Sequence, residues 1–241
     1  MKILITGASS GIGRELAKQL VKDGHAVWGV ARRENLLNDL KKELGDLFFY
    51  TAGDVSMENE ALKIAEEMKR NNFSPDIVFL AAGVYLDRIN KEFDYEIFRK
   101  TIDINLYGSL NFVQAFLPAF LERGAGQFIA LSSVAALKPT FRSISYPPSK
   151  AALGIAFRGF DLIYRNKNII FSTIYLGPVA TEIWNARKSF IVASKKYTAS
   201  AIKKVMRTKK SVYYIPFWST LISRSGFLPD SWYAALIKLF Q

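Results

Sequence analysis

Close to its start the chain carries a glycine-rich turn, Thr6-Gly7-Ala8-Ser9-Ser10-Gly11-Ile12-Gly13. An apolar run, Lys2–Thr6, precedes it and reads as a strand. An amphipathic stretch, Gly11–Asp23, follows and reads as a helix. Gly7 and Gly11 permit a tight turn and a close approach of backbone to a pyrophosphate. Gly13 lets helix and strand pack closely. The helix start offers free N–H groups and the positive end of its dipole to phosphates. A lone glycine-rich turn is also compatible with a plain reverse turn. Its position between a first strand and a first helix is what points to nucleotide binding. The glycines are spaced by three residues and then one, unlike the one-then-two of the usual dinucleotide fingerprint.

Beyond Gly13, short apolar runs alternate with amphipathic stretches. Ala26–Val30, Leu47–Thr51, Asp76–Ala81, Gln127–Leu131 and Ile169–Tyr175 read as strands. Glu34–Leu44, Met57–Arg70, a long region Tyr95–Leu121, and Pro148–Tyr164 read as helices. Alternation of this kind implies βαβ units. Right-handed crossovers then give an α/β fold, a doubly wound parallel sheet with helices on both faces. No internal repeat, low-complexity tract or Pro/Gly linker interrupts the chain, so a single domain is expected over residues 1–241. Ligands in such sheets bind beyond the carboxyl ends of the strands. Phe112, Phe116, Phe157 and Phe160 are expected in the core, with a subunit contact as the alternative.

Composition removes several chemistries. Half of the 241 residues are hydrophobic and 22% are charged, a globular balance. With no cysteine there is no disulfide and no thiolate site. One histidine, His25, argues against a His-based zinc site or a Ser-His-Asp triad, and no metal is expected. The net charge of +12 has two readings: a solvated surface that attracts anionic cofactors, or contact with nucleic acid or an anionic membrane. No nucleic-acid motif accompanies the charge, so no nucleic-acid partner is expected. Met1-Lys2 runs straight into the first strand, and no apolar run reaches the ~18–20 residues that span a bilayer. The expected location is cytoplasmic, with peripheral membrane contact left open.

Tyr146 and Lys150 form the one Tyr-x-x-x-Lys of the chain. Spacing of i,i+4 puts both on one face of a helix. A free phenol, with a pKa of ~10, is a poor acid/base at neutral pH, and a nearby ammonium lowers that value. The loop Thr6–Gly13 and this pair together resemble the TGxxxGxG and YxxxK motifs of the short-chain dehydrogenase/reductase family. The resemblance can be followed from residue 1 to about 185. The family places a catalytic Ser thirteen residues before the Tyr, which selects Ser133 of Ser132-Ser133. Ser132 reads instead as a strand-end turn residue. Asn105, in Asn105-Leu106-Tyr107-Gly108, matches the family's NxxG, which kinks a helix and helps hold a water near the lysine.

The resemblance implies a Rossmann-like fold and hydride transfer between a nicotinamide cofactor and a carbonyl or alcohol. Lys150 would hold the nicotinamide ribose and lower the Tyr146 pKa. Ser133 would orient the substrate oxygen, Tyr146 would exchange its proton, and Asn105 would support a water relay. Asn105, Tyr146 and Lys150 are thus expected at the cofactor too, with Gly7, Ser9, Ser10, Gly11, Ile12 and Gly13 of the loop. Leu176-Gly177-Pro178-Val179-Ala180-Thr181 resembles the family's PG…T segment beside the nicotinamide, here with Gly-Pro for Pro-Gly. It adds Pro178, Val179 and Thr181 to the expected cofactor residues.

The second strand ends at Val30-Ala31-Arg32-Arg33. NAD sites place an acidic residue about here to accept from the ribose hydroxyls. Arg32 and Arg33 would bind a 2′-phosphate instead, with Ser9, Ser10 and Arg14 close by, so NADP(H) is the expected cofactor. A solvated charge pair at a helix start is the alternative. Asp54-Val55, after the third strand, is expected to bond the adenine amino group, or to serve as a turn or cap before the next helix. Both roles can coexist.

Two departures from the family pattern stand out. Its NNAG segment appears as Leu80-Ala81-Ala82-Gly83, without either asparagine, although Ala82 and Gly83 are still expected at the cofactor. Tyr146 is followed by Pro147-Pro148, which predicts a helix starting just after Tyr146.

Residues 187–241 form a basic and apolar C-terminal extension of the same domain. Lys195, Lys196, Lys203, Lys204, Arg207, Lys209 and Lys210 precede Val212–Trp218, and the tail carries Phe227-Leu228-Pro229 and Trp232–Phe240. A last strand near Ser211–Ile215 with solvated helices is one reading; a membrane-facing surface, a substrate lid or a subunit contact are the others. Trp184 and Phe190 are expected near the pocket mouth. The leading reading is an NADP(H)-dependent carbonyl reductase for a hydrophobic substrate, self-associating as a homodimer or homotetramer. The alternatives are a non-catalytic NADP(H)-binding regulatory or scaffold protein, and a peripheral membrane-binding module, on the same fold.

Overall fold

The computed structural model describes residues 1–86, 92–140, 142–181 and 192–220. Seven strands form one parallel sheet: β1 (Lys2–Thr6), β2 (Ala26–Ala31), β3 (Phe48–Ala52), β4 (Ile77–Leu80), β5 (Gly126–Ser133), β6 (Ile169–Leu176) and β7 (Val212–Ile215). Their order is β3-β2-β1-β4-β5-β6-β7. Among the described residues seven α-helices accompany them: α1 (Gly11–Lys22), α2 (Glu34–Leu44), α3 (Glu58–Arg70), α4 (Tyr95–Ile102), α5 (Gly108–Arg123), α6 (Tyr146–Tyr164) and α7 (Lys195–Thr208).

Side chains of a strand alternate between faces, and both faces of this sheet are covered. Ile3 and Ile5 point into a core shared with Leu16 and Leu20 of α1, Leu37 and Leu40 of α2, and Ile202 and Val205 of α7. Leu4, Val78 and Phe128 point the other way, onto Ile64 of α3, Phe116 of α5 and Phe157 of α6. Phe112 and Phe157 have no exposed surface, Phe116 is buried, and Phe160 packs on the same core. Phe112, Phe116 and Phe157 are therefore core residues, and Phe160 is half-buried at the edge of that core.

Strand order reverses between β1 and β4, which opens a crevice above their carboxyl ends. Small residues let the two loops meet there. A Cβ on Gly7 (φ +73°) would lie 2.8 Å from the Ala82 Cα, so glycine is required by both conformation and space.

The expected helix Tyr95–Leu121 is in fact two helices joined by a π-helical turn, Asp103–Tyr107, with Asn105 at its centre. Its apolar spacing gives no sign of the break. At the start of α5 a Cβ on Gly108 would come within 2.8 Å of Val55, so this glycine brings α5 against the loop after β3.

Helix α6 begins at Tyr146, two residues earlier than Pro148. The Ser143 hydroxyl accepts from the Tyr146 N–H at 2.9 Å. Pro147 and Pro148 sit in the first turn, where a missing N–H costs no helical bond. Further along α6, Asp161 is buried. It accepts from the Phe171 N–H of β6 at 3.1 Å, from Ser211 and from both ends of the Arg165 fork. Pairing of β6 with β7 begins only at Thr173, so Asp161 satisfies a strand N–H that no neighbouring strand reaches.

The strand expected near Ser211–Ile215 is β7, and α7 covers the sheet beside α1. Lys203 of α7 pairs with Asp23 at 2.5 Å. Among the described residues no helix is long and apolar enough to cross a membrane. Trp184, Arg187, Phe190 and the tail from 221 to 241 lie outside the described residues.

Candidate active site

A cavity of about 800 Å³ lies over the carboxyl ends of the strands. One end is walled by the first loop and the end of β2, the other by β5, α6 and the segments after β4 and β6.

The glycine loop gives the first end its shape. Gly7, Ser9, Ser10, Gly11, Ile12 and Gly13 all line the cavity. A Cβ on Gly13 would overlap the Gly7 carbonyl, so the helix start can close on the turn only without one. The two arginines after β2 have different partners. Arg33 Nη2 donates to Ser9 Oγ at 3.0 Å and to Ser10 Oγ at 2.6 Å, which gathers a guanidinium and two hydroxyls in one place. Arg32 turns to Asp54, with Nη1 3.7 Å from Oδ2. Arg14, expected with them, does not line the cavity. It faces α2, where it bonds Glu43 at 3.2 Å and the Leu36 carbonyl at 3.5 Å. A residue one turn into α1 points along the helix flank rather than at the loop, and Glu43 draws it there.

Asp54 serves its own turn as well as the cavity wall. Its Oδ1 accepts from the Ser56 N–H at 3.0 Å and the Ser56 hydroxyl at 2.8 Å. The turn reading made for Asp54 is thus met, although the residue capping α3 is Met57. Val55 lines the wall beside it.

At the other end β5 and α6 bring Ser133, Tyr146 and Lys150 together. The Ser133 side chain stands beside the Tyr146 phenol, close enough to hold its pKa down. Lys150 Nζ lies 5.9 Å from the centre of the Tyr146 ring and donates to the Leu131 carbonyl at 2.9 Å. Against the expectation that Lys150 lowers it, the Tyr146 phenol is pushed up to about 12 by burial; the Ser133 side chain opposes this and Tyr85 adds to it. Burial alone brings the Lys150 ammonium down to about 8. Ser132 is a strand residue rather than a turn residue. Its hydroxyl donates to the Lys150 carbonyl at 2.8 Å and so pins α6 to β5.

Asn105 is fully buried and does not line the cavity, against the expectation that it touches the cofactor. Its Oδ1 accepts from the Val84 N–H at 2.7 Å; its Nδ2 donates to the Val84 carbonyl and to Ser149 Oγ, both at 3.0 Å. It clamps the segment after β4 to α6. The same segment is held at Ala82, whose N–H donates to Thr6 Oγ1 at 3.2 Å. Asn105 and Thr6 thus support a stretch that lacks the family's two asparagines. Gly83 leaves room for Lys150: a Cβ there would lie 3.1 Å from Nζ. Pro178, Val179 and Thr181 also line this end.

The sequence reading missed Tyr85, Lys138, Thr140 and Arg142, which complete the wall near Tyr146. They lie in irregular segments without periodicity or a motif. The one available signal was their closeness in sequence to Gly83, Ser133 and Tyr146.

Comparison with known proteins agrees with this geometry. The model of the short chain dehydrogenase family matches residues 1–191. An uncharacterized oxidoreductase of Staphylococcus saprophyticus is 30% identical over 194 residues, 77% of this chain and 83% of that one. One from Listeria monocytogenes is 32% identical over 187 residues, 75% of each chain. The closed form of serine dehydrogenase complexed with NADP+ superposes with a TM-score of 0.84 at 23% identity, covering 89% of this chain and 94% of that one. With the glycine loop, the Ser-Tyr-Lys cluster and a match over residues 1–191 in agreement, the chain belongs to the short-chain dehydrogenase family.

Proposed function

We propose that the protein is an NADP(H)-dependent oxidoreductase that interconverts a carbonyl and an alcohol, with Tyr146 as the acid/base. The observation that carries this reading is the shared cavity. Arg33, Ser9 and Ser10 stand at one end of it, and Ser133, Tyr146 and Lys150 at the other.

The glycine loop suits a pyrophosphate, since added Cβ atoms at Gly7 and Gly13 would fill the cradle. Arg33 with the two serine hydroxyls suits a 2′-phosphate. When bound, the nicotinamide supplies or takes up the hydride. The remaining chemistry belongs to the protein. Ser133 holds the substrate oxygen beside the phenol. Burial keeps the proton on the Tyr146 phenol at neutral pH but makes it a weaker acid, so its transfer to a carbonyl oxygen calls for a nearby ammonium to lower its pKa, and Lys150 is the group placed for this. Lys150, one turn along α6, stabilises the phenolate that remains. Asn105 is a positioning residue that fixes the Val84 backbone and Ser149 around these groups.

The wall near Tyr146 includes Val84, Ile104, Val134 and Leu176, which suits a substrate with an apolar body. Self-association is part of the proposal. Ile155, Leu162 and Ile163 of α6 are 64%, 86% and 60% exposed, an apolar outer face that light scattering of the protein in solution would test.

The test of the activity is oxidation of NADPH and NADH with ketones and aldehydes of graded chain length, and Tyr146→Phe as control. Turnover with NADPH that disappears in the variant is expected. Tight NADPH binding with no turnover on any carbonyl would favour the regulatory alternative.

A further inference from the structure

Positive charge is concentrated in one stretch of the chain that the cavity does not use. From 192 to 220 the sequence has seven lysines and arginines and no aspartate or glutamate. Helix α7 sets part of this charge in order. Thr198, Ala199, Ile202 and Val205 are buried against the sheet, so Lys196, Ser200, Lys204 and Arg207 recur at helical spacing along its exposed side. Other cations on this face of the sheet are neutralised: Arg14 and Lys18 of α1 pair with Glu43, and Lys203 pairs with Asp23. Lys196, Lys204 and Arg207 form no ion pair among the described residues, and Arg207 meets the field of Asp23 only at longer range.

Aromatic rings stand at the start of the same helix. Trp218, in the turn after β7, stacks at 6.2 Å on Tyr197 of α7 and meets Phe217 edge-on at 5.4 Å. Phe217 is 75% exposed, and Tyr197 is exposed beside it. Both segments hang from the cavity wall. The Ala193 N–H, just before α7, donates to the Pro178 carbonyl at 2.9 Å, and the Gly177 N–H donates to the Ile215 carbonyl at 2.9 Å. Gly177 and Pro178 line the cavity. A partner that suits this surface offers negative charge outside and an apolar layer just beneath. The headgroup region of an anionic bilayer has both, with phosphates and carboxylates over acyl chains. A nucleic-acid duplex offers the charge without the apolar layer.

We propose that α7 and the turn after β7 dock the protein on an anionic lipid surface. Phe217 and Tyr197 enter the headgroup boundary, and Lys196, Lys204 and Arg207 face the lipid charges. Docking of this kind brings the cavity wall after β6 beside the lipid. It needs neither cofactor nor turnover, so it stands apart from the oxidoreductase reading.

The test mixes the full chain with vesicles of phosphatidylcholine, or of phosphatidylcholine with phosphatidylserine, and reads bound protein by sedimentation. Binding to the second alone is expected, and it should weaken as salt rises. Each basic side chain at such a surface contributes about fivefold. Lys196→Gln, Lys204→Gln and Arg207→Gln together should therefore lower the partition coefficient by about 100-fold. Lys63→Gln, Lys69→Gln and Arg70→Gln remove the same charge from the exposed side of α3, across the sheet, and should lower it by less than about fivefold. Phe217→Ala should lower it by about tenfold. Circular dichroism reports the fold of each variant, with Lys204→Glu alone as the replacement should the α7 triple variant fail to fold. Equal binding to both vesicles, binding to neither, equal losses in the two triple variants, or unchanged binding in Phe217→Ala would overturn the proposal. So would an oligonucleotide bound more tightly than the vesicles and lost in the α7 variant, which would give the surface to nucleic acid. A fall in mass by light scattering in Phe217→Ala would give the aromatic face to a second copy of the chain and overturn it as well.

Discussion

Replacing Arg33 with alanine should weaken NADPH binding and spare NADH. Its Nη2 stands 3.0 Å from Ser9 Oγ and 2.6 Å from Ser10 Oγ, so a 2′-phosphate placed among them meets three donors at once. The charged bond from Arg33 is worth about 1.5–3 kcal/mol. That range corresponds to about a 10- to 150-fold rise in the NADPH dissociation constant. Arg32 is a different case. Its side chain is 56% exposed and 3.7 Å from Asp54, so solvent screens it and an opposite charge already engages it. Arg32→Ala should cost less than about 1 kcal/mol, roughly fivefold or less. The assay is coenzyme fluorescence on binding, for NADPH and NADH, at one fixed ionic strength because salt screens these charges. Equal losses for both coenzymes in Arg33→Ala, or a larger change of preference in Arg32→Ala, would refute the assignment.

Two further outcomes are expected. Burial holds the Lys150 ammonium at about 8 in the folded protein, against 10.5 when hydrated, so between these values the unfolded chain binds more protons. The site therefore destabilises the fold below about pH 8, and this is relieved as pH rises to about 10.5. The unfolding free energy in urea of the wild type minus that of Lys150→Met should rise across this window, and a flat difference would mean a hydrated lysine. Asp161→Ala strands the Phe171 N–H and removes the partner of Arg165, a loss of about 3–5 kcal/mol. For a chain of this size that is about 6–20 °C in Tm, and a calorimetric shift below about 3 °C would refute it.

How much of the molecule could be read from its residues follows from how local each signal is. The turn Thr6–Gly13 specifies strand, loop and helix within a few positions, and β1 and α1 follow it closely. The pair Tyr146 and Lys150 is likewise set by helical spacing, once Pro147 and Pro148 are accepted in a first turn. Arg32 and Arg33 look alike in sequence, yet adjacent positions at a strand end diverge, and the partners Asp54, Ser9 and Ser10 that separate them come from elsewhere. Arg14 was misplaced because Glu43, which draws it aside, is 29 positions distant. Asn105 matched a motif, but its bonds to Val84 and Ser149 are made across the fold. Lys138 and Arg142 had no pattern at all.

The π-helical turn at Asp103–Tyr107 also sets the phase of everything after it. One residue more or fewer in a helix rotates all later side chains by about 100° about its axis. Phe112, Phe116 and Phe120 reach the core of α5 only from the angle that this wide turn gives them. A deletion there would carry all three off the sheet together, while a substitution would disturb one contact at a time. The segment around Asn105 thus acts as a fixed angular offset: its length is held by the core and its identity by the site.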